Sequence, residues 1–134
     1  MATVICETLI SANPDGVWDA VRDYGALHTR VAPGVVAETK VIPDAVPPLR
    51  EVTFASGQVL LERIISVDDE NRRLVWSIED DGVKHHNGAL QVHTINAGQS
   101  RVVWVADVLP DTLADAFRPL MEAGLSAMTV HLSE

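Results

Sequence analysis

Glu62 falls between Leu60 and Ile64 at alternate positions, so in an extended chain its carboxylate shares a face with two apolar side chains, while Leu61, Arg63 and Ile65 take the other. A carboxylate so placed has two readings. It stands at an edge or mouth, where it reaches water or a cationic neighbour, or it is a polar anchor inside a ligand cavity. Desolvation favours the protonated form of a carboxyl, so the second reading supplies a group that could hold a hydroxyl or hand over a proton. His86 shares its strand face with Gly88, Leu90 and Val92. A neutral imidazole there could hydrogen-bond a ligand carbonyl or exchange protons near neutral pH, or it is simply satisfied by a neighbour at the cavity rim. If the chain is an enzyme, Glu62 and His86 are its candidate catalytic pair.

Other chemistries find less support. The adjacent His85 and His86 point to opposite strand faces, and Cys6 is the single cysteine, so no metal site is expected. His85 and His93 lie with Asn87 and Gln91 on a polar face turned to solvent. Ser56-Gly57 and Asp81-Gly82 lack phosphate-loop spacing, no serine stands in a nucleophile elbow, and Cys6 in the first strand reads as inert packing. Trp18 reads as core. Trp76 and Trp104 suit a cavity wall, where a flat face and an indole N–H fit a cyclic or aromatic ligand. Met121 and Met128 read as plain core or as an adaptable helical lid.

The elements that must position these groups follow from local chemistry. Thr3 to Ile10 reads as a strand, and Asn13-Pro14-Asp15 as a helix start with N-cap, first-turn proline and acidic residue, leading to Val17, Trp18 and Val21 at helical spacing. Ala26 to Arg30 is a second short helical piece. Six strands follow, over 35–42, 49–55, 59–67, 73–79, 84–95 and 101–108, separated by turns such as Ser56-Gly57 and Asp80-Asp81-Gly82. After Pro110 the period changes: Leu113, Phe117, Leu120, Met121, Leu125, Met128 and Leu132 recur every three or four residues. Pro119 should kink this closing helix or divide it in two, setting the width of one cavity mouth. The predicted class is α+β: a curved seven-stranded antiparallel sheet around a long C-terminal helix, with one or two short helices after the first strand.

Length and charge bound the function. At 134 residues with 47% hydrophobic content the chain suits a single domain, 1–134, with an ordinary core. A net charge of −9 and scattered Lys and Arg argue against nucleic acid or an anionic membrane as partner. No apolar run reaches membrane-spanning length and no secretion signal is visible at Met1 to Ile10, so the expectation is a cytoplasmic protein with no membrane insertion and no cofactor. A homodimer is left open.

This order of elements, with Asn13-Pro14-Asp15-Gly16-Val17-Trp18 at the first helix, Tyr24-Gly25 at its end and Ser100-Arg101-Val102-Val103-Trp104 in the last strand, resembles the START-like superfamily. These are the Bet v 1-like or SRPBCC proteins, with the polyketide cyclase/dehydrase and lipid-transport group closest in length. The middle of the chain is also similar to plant abscisic-acid receptors, in Arg50-Glu51-Val52, Ser56-Gly57, Glu62-Arg63 and Asp68-Asp69-Glu70. It departs from them at Gln58-Val59-Leu60 and Asp81-Gly82-Val83-Lys84, and the receptors' buried lysine has no counterpart near Gly34-Val35, so hormone sensing is not implied.

The resemblance implies a helix-grip fold in which Val52, Phe54, Leu60, Glu62, Trp76, Ile78 and His86 face a cavity. Leu90, Trp104, Phe117 and Met121 complete the candidate ligand-binding set. A cavity of roughly 300 to 1,000 Å³ is expected between sheet and helix. Two functions follow as expectations: binding of a hydrophobic or amphipathic small molecule, aromatic, polyketide-like or lipid-like, or a polyketide cyclase/aromatase- or dehydratase-type enzyme moving protons with Glu62 and His86.

Overall fold

The computed structural model describes residues 1–134. Its elements run β1 (Ala2–Ile10), α1 (Pro14–Arg22), a short π-helical turn (Leu27–Val31), β2 (Val36–Ile42), β3 (Leu49–Phe54), β4 (Val59–Asp68), β5 (Arg73–Ile78), β6 (His85–Asn96), β7 (Gln99–Leu109) and α2 (Leu113–Leu132). Each expected strand is present within a residue or two of its expected ends. Asn13 caps α1 as its type predicts, its side-chain oxygen accepting the Asp15 N–H at 2.9 Å.

All seven strands form one antiparallel sheet in the order β1-β7-β6-β5-β4-β3-β2. Strands β2 to β7 make a meander, and β1 returns beside β7 with Cys6 opposite Trp104. Helix α2 packs on β1 and β7 and also meets the π-helical turn, which in turn touches β2 at the far edge. Both edges of the sheet therefore meet one covering layer, which requires the sheet to curve around the helix. Alternation does the rest. Val4, Ile10, Val52, Leu60, Ile64, Leu74, Val92, Val102, Ala106 and Val108 all bury on the concave face, beneath Met121, Leu125 and Met128 of α2.

Two clamps hold the ends. The Thr8 and Thr129 hydroxyls meet at 2.7 Å, joining α2 to β1. Trp18, although buried, donates its indole N–H to Asp69 at 2.9 Å, and Arg22 donates to the same oxygen at 2.8 Å, tying α1 to the β4–β5 turn. Those two hydrogen bonds, with the Arg22 charge, hold the Asp69 carboxyl below the usual carboxylate range.

At Pro119 one of the two expectations, a division into two helices, is overturned. Helix α2 is continuous through it rather than two helices meeting there. The proline deprives only the Asp115 carbonyl of its helical partner, and both residues are exposed, so water can take that carbonyl's hydrogen bond.

Candidate functional site

The polar centre of the concave face is an ion pair. Arg50 on β3 and Glu62 on β4 are directly opposed in the strand register, and Arg50 Nε donates to Glu62 Oε1 at 2.7 Å. Both side chains are buried, 3% and 7% exposed. Arg50 Nη1 also donates to the Tyr24 carbonyl at 3.1 Å, and the guanidinium carbon lies 5.4 Å from the Trp76 ring centroid. The carboxylate on an apolar face is thus explained by a cationic neighbour, Arg50, that is itself inside. Arg50 went unassigned in the sequence although the same alternation exposes it: it is in phase with Val52 and Phe54, as Glu62 is with Leu60 and Ile64.

Around the pair the aromatic groups meet in two tilted pairs. Trp76 and Trp104 have ring centroids 5.6 Å apart, and His86 lies 5.5 Å from Phe117 on α2. Two glycines make this packing fit. A Cβ on Gly88 would come within 2.9 Å of Trp76 Cε2 and 3.0 Å of His86 Cε1, and one on Gly124 of α2 would meet Trp104 Cζ3 at 3.2 Å. The Trp104 Nε1 atom is buried and has no hydrogen-bond partner in the protein.

His86 is a fixed donor. Its Nδ1 accepts the Ile78 backbone N–H at 3.1 Å, so the proton of the neutral ring sits on Nε2. Burial pushes its pKa down to about 4, with neighbouring His85 adding to the shift and Asp107 opposing it. An unfolded histidine titrates near its ordinary value, about 6.5. Between that pH and about 4 the unfolded chain therefore binds a proton that the native chain refuses, and stability falls as pH drops through this window. The expected loss by the lower end is roughly 3 kcal/mol. Denaturant unfolding at several pH values should show a smaller slope in His86→Gln, and an identical slope in the two proteins would refute the assignment.

Two small cavities adjoin these residues. One of about 70 Å³ lies among Arg50, Glu62, Trp76, Leu90, Trp104, Leu125 and residues of α1 and the π-helical turn. The second, about 30 Å³, lies against Leu60, Ile78, His86, Phe117 and Met121, and shares Phe54, Glu62, Trp76, Trp104 and Leu120 with the first. An outer groove of about 200 Å³ is lined by Gln58, Asp80, Gly82, Val83 and Leu113, and it has Leu60, Phe117 and Leu120 in common with the second cavity. These three side chains form the partition between interior and groove.

The volume is a second correction. It falls far below the expected range because bulky residues of sheet and helix, Trp76, Trp104, Phe117 and Leu120, pack into the space that the curvature opens. Val52 is a third: it is fully buried but lines neither cavity, being absorbed into the core beside Leu60 and Thr39. The structure brings the other candidates together: Phe54, Leu60, Glu62, Trp76, Ile78, His86, Leu90, Trp104, Phe117 and Met121 line one cavity or both. Sequence reasoning missed Leu27 and Val31 as well as Arg50; the first two lie in a turn whose period is too short to show a buried face.

Cys6 is buried, which pushes its thiol pKa up. No group of three or more His, Cys, Asp or Glu side chains is placed to hold a metal ion, and no helix is long and apolar enough to cross a membrane.

No curated protein matches the chain. Among solved structures, XoxI from Bacillus cereus superposes with a TM-score of 0.85 at 20% identity, over 98% of this chain and 96% of that one. The di-domain ARO/CYC BexL of the BE-7585A biosynthetic pathway gives 0.81 at 15% identity, over 98% of this chain and 46% of that one. Norcoclaurine synthase from Thalictrum flavum, in complex with dopamine and hydroxybenzaldehyde, gives 0.69 at 20% identity, over 96% and 84%. These likenesses concern the fold. The sequence itself matches the polyketide cyclase/dehydrase and lipid transport family over residues 1–132, and with the curved sheet closed by α2 this places the chain in that family.

Proposed function

We propose that the chain binds a small amphipathic molecule between its sheet and α2, without transforming it. The observation that carries this reading is an apolar interior holding a few convergent polar groups: a charge-balanced Arg50–Glu62 pair and the unpartnered indole N–H of Trp104. His86 is suited to hold rather than to react. Its Nδ1 is engaged by a backbone N–H and its Nε2 already carries the proton, so it is neither a free base nor an effective acid.

Binding requires the interior to expand. Even a benzene-sized guest takes a cavity of about 150 Å³, so Leu60, Phe117 and Leu120 must swing aside toward the outer groove as a ligand passes. Phe117→Ala should therefore speed association by about tenfold while removing a contact that slows escape. Stopped-flow tryptophan fluorescence would check this, and an unchanged association rate would place the passage elsewhere. Native mass spectrometry of freshly purified protein, with fluorescence titration of aromatic and polyketide-like compounds, tests the binding reading itself. Absence of both a co-purified molecule and any saturable response would defeat it.

A second reading, an enzyme of the cyclase or dehydratase type, draws on the names of the neighbours: BexL is an ARO/CYC protein and norcoclaurine synthase is a synthase. Here Glu62 is the group left to move a proton, and it would have to leave Arg50 to do so. Conversion of a bound compound, followed by mass of the product, would favour this reading over simple carriage.

A further inference from the structure

The interior carries a particular hydrogen-bond polarity. Arg50 and Glu62 cancel each other's charge at 2.7 Å, and His86 is neutral with its proton on Nε2, so the wall has no net charge to offer a ligand. It does offer donors. Trp104 Nε1 has no acceptor anywhere in the protein. Its benzo edge meets α2 at Gly124, which leaves the N–H on the ring edge away from the helix, and the side chain borders both cavities. A buried donor without a partner costs about 1 to 3 kcal/mol, which a ligand acceptor placed opposite it would recover. His86, whose proton sits on Nε2, lines the smaller cavity together with Trp104.

Resting on the binding reading above, we infer that the ligand is an uncharged molecule whose carbonyl or ether oxygen accepts the Trp104 indole N–H, with an apolar ring against Trp76. A carboxylate or an ammonium would enter beside a pair whose charges already cancel. Each would bring an uncompensated charge into an interior whose own charges are already paired.

Four probes of similar shape separate these cases: acetophenone, ethylbenzene, benzoate and benzylammonium. Acetophenone should bind about tenfold more tightly than ethylbenzene, the worth of one buried hydrogen bond. It should also move the Trp104 indole proton downfield in ¹H–¹⁵N spectra of the wild-type protein, the resonance being identified by its loss in Trp104→Phe. In that variant the advantage should shrink to about twofold or less. Equal binding of acetophenone and ethylbenzene, an unmoved indole resonance, or preference for benzoate or benzylammonium would overturn the inference and leave cavity binding standing. Failure of all four to bind, in a protein that also shows no response to larger compounds, would overturn the binding reading together with it. The wild-type spectrum decides the matter even if Trp104→Phe does not fold.

Discussion

Glu62→Gln is expected to destabilise the protein by about 3 to 5 kcal/mol, the typical cost of breaking a buried ion pair from one side. The amide can still accept a hydrogen bond from Arg50, but the guanidinium is left without a counter-charge among Trp76, Phe54 and Leu74, and it cannot shed its proton. Arg50→Met should cost less in mildly acidic solution, since a carboxyl can lose its charge by taking up a proton. The double variant Arg50→Met, Glu62→Leu should regain most of the loss, because two apolar side chains replace two desolvated charges. Its remaining deficit is the Tyr24 carbonyl, which loses the Arg50 Nη1 donor. Urea unfolding of these proteins, together with the single variant Glu62→Leu that closes the cycle, checks the set. Additive losses in the double variant would show that the two side chains stabilise the fold separately.

Gly88→Ala should be the next most damaging change. Its methyl group would enter a gap where Trp76 and His86 ring atoms already stand 2.9 and 3.0 Å from the Cβ position. Neither ring can retreat freely: Trp76 is held between Arg50 and Trp104, and His86 by the Ile78 N–H and Phe117. Overpacking of this kind costs about 1 to 3 kcal/mol. The easiest relief is movement of Trp76 into the cavity, so the variant should also lose affinity for any compound the wild type binds. A thermal midpoint and ligand titration equal to those of the wild type would mean that the rings are far more mobile than their packing implies.

The two changes act on different links between sequence and site. The ion pair depends on which strands are neighbours, and the ring packing on how closely they carry their side chains. Neither follows from local pattern, although the residues concerned are all placed by it.

Alternation alone placed Leu60, Glu62 and Ile64 on a buried face, and helical spacing alone turned Met121, Leu125 and Met128 inward, because side-chain direction repeats with backbone period whatever the partner. Asn13 and Pro14 marked the start of α1 for an equally local reason, the unpaired N–H groups of a first turn. The order of elements was enough to identify the helix-grip architecture. What only tertiary structure decided was pairing and volume. Arg50 was as legible as Glu62 in phase, but that they face each other depends on the register of β3 against β4, which turn length and packing set together. That α2 continues through Pro119 depends on the exposure of the Asp115 carbonyl, which no spacing reveals. The cavity is small because Trp76, Trp104, Phe117 and Leu120 come from three separate elements to fill one space, and the volume left between large side chains is a difference of large quantities that only their joint placement determines.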